Sequence, residues 1–218
     1  MKKLLIAALV TALLVIGATG IVGKIVIAEP GERTCSLTLD IEETGRPQGT
    51  HSIETSSAGE GSLLPTPPSG NALELACGQS LRALLRDFED KFGDRAAQSV
   101  HPLSTLEVSG MFDEDQAFWL RQNASRYGWI CLSENSLRYV GIPHAFVMRA
   151  KNFDLGQYLD YLRKTEGITV HLNGQAYVIG YYPAGEPLRA PEGGSSVSGD
   201  GQNGFIVTTQ CQAQPSSR

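Results

Sequence analysis

The feature that most constrains this chain is its beginning, "MKKLLIAALVTALLVIGATGIVG", in which two lysines precede an uncharged run from Leu4 to Gly23. As a helix rising about 1.5 Å per residue, a run of this length reaches roughly 30 Å, the thickness of a bilayer's hydrocarbon core. A cleaved signal peptide has a shorter apolar stretch and a small-x-small cleavage site, and "IGATG" is a poor one. Lys2 and Lys3 favour a cytoplasmic N-terminus, which Lys24 offsets slightly. The run therefore predicts a bacterial single-pass membrane helix within residues 1–28, with cleavage as the alternative. Everything after about residue 29 would then lie outside the cytoplasm.

Charge sets the next limit. The net charge is −5, and three of the 18 basic residues (Lys2, Lys3 and Lys24) sit in the N-terminal segment. The remainder carries about 15 basic against 23 acidic side chains, a surface with nothing to offer a phosphate backbone. Nucleic-acid binding is excluded. The four cysteines, Cys35, Cys77, Cys131 and Cys211, are widely spaced and show no C-x-x-C pair. They are read either as thiols or as one or two disulfides, which an extracytoplasmic location permits.

Pattern divides the rest. "TCSLTLDIEE" alternates Cys35, Leu37, Leu39 and Ile41 with polar residues, the period of a half-buried strand. Residues 44–71, rich in Gly, Ser, Thr and Pro, predict a linker, so residues 29–71 read as a short strand plus spacer. Residues 72–92 predict a helix with Leu73, Cys77, Leu81, Leu84, Leu85 and Phe88 on one face and Gly93 at its end. "DEDQAFWLRQNASRYGW" predicts a second helix with an acidic start and Phe118, Trp119, Ala124 and Tyr127 as its buried stripe. "SLRYVG" reads as a strand. "IPHAFVMRAKN" reads as a helix opened by Pro143, and "FDLGQYLDYLRKT" as another, with Leu155, Tyr158, Leu159 and Leu162 inward. In "GITVHLNGQAYVIGYY", Asn173–Gly174 predicts a type I′ hairpin. Residues 183–204 read as a loop and "GFIVTTQCQ" as a last strand. The fold class expected is α+β, a small antiparallel sheet with packed helices behind one transmembrane helix. The core would span 72–166 and a C-terminal extension 167–218.

Three stretches, "WLRQNASRYGWI", "LRYVGIPHAFVM" and "FDLGQYLDYLRK", resemble the C-terminal half of VanY-type D-alanyl-D-alanine carboxypeptidases. The resemblance covers roughly residues 112–210, with a weaker match over 72–92. In that family W-L-x-x-N-A-x-x-Y-G-F leads to E-P-W-H-x-R-Y-V-G, and L-x-x-Y-L-x-Y-L follows. The resemblance implies the D-Ala-D-Ala metallopeptidase fold. It also implies zinc held by the His and Asp of S-x-H-x-x-G-x-x-x-D and by the His of E-P-W-H, whose Glu is the general base. Such a metal lowers the pKa of its water to about 7.

This sequence departs from that pattern at the chemical positions. With Arg138 and Tyr139 aligned as candidate binding residues, Ser133 stands at the base position and Ser136 at the zinc histidine. Upstream, "SVHPLSTLEVSG" offers His101, but Ser104 replaces the Gly and Val108 the Asp. The segment between the first helix and Trp119 is also shorter than in the family by a few tens of residues. Neutral serine is a poor zinc ligand and no base at neutral pH. The resemblance therefore implies a membrane-anchored, extracytoplasmic protein with no catalytic residues and no cofactor, binding peptidoglycan stem peptides or an envelope partner. The alternative is an active zinc carboxypeptidase rebuilt from His101, Glu107 and Glu134; a third reading is a structural envelope protein without a ligand. His144 is expected to be structural or on the surface, and His51 and His171 exposed. "NAS" at 123–125 fits a glycosylation sequon but falls inside a helix motif and is set aside.

Overall fold

The computed structural model describes residues 12–17, 20–27, 35–49, 51–53, 70–104, 106–202 and 204–211, with backbone only for 12–37 and 70–74. In chain order the elements begin with four strands, β1 (Ala12–Gly17), β2 (Gly20–Ile27), β3 (Cys35–Glu43) and β4 (His51–Ile53). Helices α1 (Gly70–Phe92) and α2 (Asp94–Gln98) precede β5 (His101–Pro102) and β6 (Glu107–Ser109). Helix α3 (Glu114–Asn123) runs into a 3-10 turn at Ala124–Tyr127, followed by β7 (Trp129–Ser133) and β8 (Ser136–Tyr139). Then come α4 (Ile142–Lys151), α5 (Leu155–Thr165), β9 (Gly167–Leu172) and β10 (Gln175–Pro183). The chain closes with β11 (Leu188–Ala190), β12 (Gly194–Gly199) and β13 (Gly204–Cys211).

The helices start where the sequence can satisfy their free N–H groups. Asp113 and Gln116 form a reciprocal capping box on α3, and Asp154 and Gln157 do the same on α5. Pro143 sits in the first turn of α4 and Gly93 takes φ 84° beyond α1. Asn173 and Gly174 both have positive φ, 51° and 80°, as a type I′ turn requires, and fix the register Leu172↔Gln175 of the β9–β10 hairpin.

The described strands form a seven-stranded antiparallel sheet in the order β1-β2-β3-β9-β10-β13-β12, a four-stranded sheet β5-β6-β8-β7 and the pair β11-β4. This is more sheet than the sequence predicts. One core lies between the large sheet and α4 and α5, where Leu39, Ile41, Ile168, Val170, Ile179 and Ile206 meet Val147, Tyr158 and Leu162. The hairpin and last strand share this core with the helices instead of forming an extension. A second core joins α1 and α3 to the four-stranded sheet through Leu84, Phe88, Trp119, Leu120, Trp129 and Leu137. Phe88 packs against Trp119 with ring centroids 5.6 Å apart, and the Trp129 indole donates to Ser80 Oγ at 2.8 Å.

Several expectations are corrected, but the spanning helix expected within 1–28 is not among them: residues 1–11, 18–19 and 28 lie outside the described residues, and 12–17 and 20–27 are described by backbone alone, as paired strands. Among the described residues no helix is long and apolar enough to cross a membrane. The run is rich in Val and Ile with glycines at 17 and 20, and such a sequence suits paired strands as well as a helix. Within the expected linker, residues 44–49 and 51–53 are laid across the sheet. Thr44 N–H bonds Gly167 O at 3.2 Å, Arg46 pairs with Glu186, and β4 joins β11. Residues 54–69 lie outside the described set. The expected loop 183–204 contains β11 and β12. Phe118, expected inward, is 46% exposed, because the buried face of α3 is set by Ala117, Trp119, Leu120 and Asn123.

Candidate functional site

The stretch that carries the family's second motif folds as the tip of the β7–β8 hairpin. Ser133 pairs with Ser136 across a two-residue turn, Glu134–Asn135, and the ladder shifts register between Cys131 and Ser133. Neither turn residue has positive φ, so this is not a primed hairpin turn, and the extra residue at Leu132 absorbs the mismatch in twist. Ser133 Oγ and Ser136 Oγ lie 2.7 Å apart, and Asn135 N–H donates to Ser133 Oγ at 3.2 Å. The two hydroxyls are thus engaged with each other and with the turn.

Beside the tip is a small cleft bordered by Phe112, Leu120, Arg121, Cys131, Glu134 and Leu137 together with the two serines. Its empty volume of about 190 Å³ includes open solvent, so the space it encloses is far below the roughly 300–1,000 Å³ typical of sites that enclose a small ligand. Burial pushes the Cys131 thiol up to about 11, against a smaller downward pull from Arg121. The thiol is therefore protonated at neutral pH and serves neither as nucleophile nor as ready metal ligand. Nothing in the sequence links Arg121 or Cys131 to this cleft; Cys131 reads only as a thiol or disulfide partner. Arg121 directly follows the Trp119–Leu120 pair of the helix motif, which placed its neighbours in the core and gave no sign of the cleft.

The upstream candidates lie on the same four-stranded sheet but do not converge. His101 pairs with Ser109, and Pro102 with Val108, so the His101 and Val108 side chains leave opposite faces. Val108 is 2% exposed and belongs to the second core. Ser109 pairs in turn with Ser136, which puts two strand spacings, about 10 Å, between the backbones of His101 and Ser136. Glu107 lies opposite Arg138 and forms an ion pair with it at 2.8 Å. Glu134 is exposed at the turn. Of the two candidate binding residues, Arg138 is committed to Glu107. Tyr139 is buried against Trp129, ring centroids 5.5 Å apart, and is a core residue.

The residues present do not fit a zinc ion. Among the described residues no three His, Cys, Asp or Glu side chains come together as a metal-sized group. At the tip the two family positions supply only hydroxyls, and the cleft adds one carboxylate, Glu134, and the protonated Cys131 thiol, whereas protein zinc sites draw on several thiolate, imidazole or carboxylate donors at once. Cys131 and Cys211 are free thiols, and Cys35 lies where only the backbone is described.

The other histidines are placed as expected. His51 and His171 are exposed on β4 and β9. His144 is buried between α4, α5 and β13, its Nδ1 2.6 Å from Tyr158 Oη and its Nε2 2.9 Å from Thr208 Oγ1. Burial pushes its pKa down to about 4, so it is neutral at physiological pH. Asn123 of the sequon is buried and donates to Trp119 O at 3.0 Å, which closes it to glycosylation in the folded chain.

No family model matches the chain. A D-alanyl-D-alanine carboxypeptidase of Enterococcus faecium is 35% identical over 106 residues, which cover 41% of this chain and 35% of that protein. The chain thus spans about a third of the length of the curated relative it matches. Among solved structures, that of the vancomycin-resistance D,D-dipeptidase VanXYg, in complex with a D-Ala-D-Ala phosphinate analogue, overlaps 65% of this chain and 80% of its own. The TM-score is 0.42 at 18% identity. Over that stretch the sequence is similar to a D-alanyl-D-alanine carboxypeptidase, and the match supports a relationship to the D-Ala-D-Ala metallopeptidase family.

Proposed function

We propose that this chain is a membrane-anchored, extracytoplasmic relative of the D-Ala-D-Ala carboxypeptidases that has lost its catalytic set and acts by binding. Its ligand class is the peptidoglycan stem peptide or a partner in the cell envelope. One observation carries the reading. Where the family has its base and its zinc histidine, this chain has Ser133 and Ser136, whose hydroxyls bond each other at 2.7 Å. The competing active enzyme would need His101, Glu107 and Glu134 as a rearranged set, and Glu107 is held by Arg138 at 2.8 Å.

The membrane-anchor part rests on the uncharged run from Leu4 to Gly23 behind Lys2 and Lys3. The test of function is an assay of binding against turnover. Full-length protein is incubated with a stem pentapeptide ending in D-Ala-D-Ala and with zinc supplied in excess. The reading predicts retention of the intact peptide and no free D-alanine. Release of D-alanine that His101→Ala abolishes would overturn it in favour of the rearranged enzyme.

A further inference from the structure

Among the described residues the half-buried arginines are Arg46, Arg126, Arg138, Arg149 and Arg163. A charge drawn out of water normally takes an opposite charge with it. Arg46, Arg138 and Arg163 follow that rule. Arg46 pairs with Glu166 and Glu186, Arg138 with Glu107, and Arg163 with Asp160 and Asp200. Arg126 and Arg149 meet no carboxylate among the described residues, and these two are neighbours.

Arg149 stands in the last turn of α4 and reaches to the C-terminal end of α3 and the 3-10 turn after it. Its Nη1 donates to Gln122 O and, at 3.3 Å, to Ser125 Oγ, and its Nη2 donates to Gln122 Oε1 at 2.9 Å. All three acceptors are neutral. A guanidinium carries five N–H donors, so Nε–H and one N–H of Nη2 are left without an acceptor among the described residues. Unlike the Nε atoms of Arg46 and Arg138, that of Arg149 is not shut away from water. Nε and Nη2 are adjacent on the fork, an arrangement that takes two oxygens of one oxyanion. Arg126 directly follows Ser125 in the turn and makes no hydrogen bond or ion pair among the described residues. Burial pushes the Arg149 guanidinium down to about 10, and the charge of Arg126 pushes the same way. Two cations so placed repel each other until something negative joins them. None of these residues borders the cleft at the β7–β8 tip.

We propose that Arg126 and Arg149 form a binding site for one phosphoryl group, a phosphate ion or a phosphate monoester, held by the free Nε and Nη2 donors of Arg149 and by the guanidinium of Arg126. A doubly charged tetrahedral oxyanion answers both cations at once, which a single carboxylate does not. Two guanidiniums suit one such group and not a backbone of them, in keeping with the net charge of −5. Gln122 and Ser125 already hold the Arg149 fork in place, so little side-chain freedom is lost on binding.

Two side chains in contact with water give a dissociation constant on the order of 1 mM at low salt. The test is isothermal titration of the full chain in mild detergent at about pH 8, where phosphate is mostly a dianion. Its probes are inorganic phosphate, methyl phosphate and acetate. Phosphate should bind once per chain, and acetate at least tenfold more weakly. Methyl phosphate separates the sources: binding equal to that of phosphate assigns a monoester carried on a larger molecule, and its failure to bind assigns the free ion. Arg126→Gln should weaken phosphate at least tenfold and Arg126→Lys by less, because the charge remains. Arg95→Gln, an exposed arginine of α2, should change nothing. Without phosphate, Arg126→Gln should melt no lower than the parent, since it relieves a repulsion, so lost binding is not lost folding. The proposal is overturned if phosphate does not saturate, if Arg126→Gln leaves its binding unchanged, or if acetate binds as tightly.

Discussion

At the scale of single residues, two buried polar groups make the fold sensitive to acid, and both signs can be worked out. His144 has its pKa lowered to about 4 from the usual 6.5, because burial between Tyr158 and Thr208 takes an imidazolium out of water. The unfolded chain binds that proton first. Stability is therefore full above about pH 6.5 and falls as pH drops toward 4, by about 3 kcal/mol in total. Urea unfolding at pH 7, 5.5 and 4.5 should show this slope, and His144→Leu should be less stable at pH 7 but flat across the window. An unchanged slope in the variant would remove His144 as its cause.

Asp200 is the second group. Burial raises its pKa, but Arg163, the N–H groups of Gln202 and Gly204, and Tyr181 Oη together hold it below the usual carboxylate range. A depressed carboxylate contributes stability above its unfolded pKa and loses it below, so acid acts in the same direction here. Asp200→Ala should cost about 3 kcal/mol, since it leaves Arg163 with Asp160 as its remaining carboxylate and two N–H groups without their acceptor. A change under about 1 kcal/mol in urea unfolding would mean that the β12–β13 turn does not depend on this carboxylate. The sequence placed His144 as structural or on the surface but did not mark Asp200. "SGDGQNG" reads as a flexible loop until the fold delivers Arg163 and Tyr181 to its aspartate.

At the scale of elements, legibility followed locality. Capping residues, Pro143, the Asn173–Gly174 turn and the stripe Tyr158–Leu159–Leu162 encode their structure within a few residues, and the elements they specify are where the pattern puts them. Strands β11 and β12 carry almost no hydrophobic alternation, and only pairing with distant strands makes them strands. The motif residues Trp119, Leu120, Tyr139, Val140 and Leu159 are buried as their apolar character predicts, but in two cores. Val140 and Leu159 pack with the large sheet, the others with α1. Helix α3 is attached chiefly through Trp119, which touches Phe88 and Phe92 of α1. Trp119→Ala should cost about 3–5 kcal/mol, a large fraction of a domain's stability. An unchanged melting temperature would contradict that attachment.

At the scale of the whole molecule, the N-terminal run has two physical solutions. In lipid, a stretch of this length satisfies its own backbone as a helix; beside a sheet edge, its Val and Ile residues suit strands. The described backbone shows the second, and the surroundings decide between them. The anchor proposal predicts that the full-length chain stays with membranes through an alkaline carbonate wash. A soluble mature form starting near residue 29 would contradict it.

The candidate site was legible only as a departure. The likeness told where a zinc ligand and a base should stand, and the residues there, Val108, Ser133 and Ser136, are of the wrong chemistry. What the sequence could not tell was how the altered motif would be used locally. The two serines close a hairpin tip and Val108 fills a core. The proposed loss of catalysis is at root a loss of zinc, and metal content tests it. Full-length protein purified without chelators and dialysed against zinc should hold less than about one-tenth of an ion per chain, since the tip offers hydroxyls and the His101 imidazole lies two strands away. Stoichiometric zinc that disappears in His101→Ala would contradict the claim and restore this chain to the working metallopeptidases.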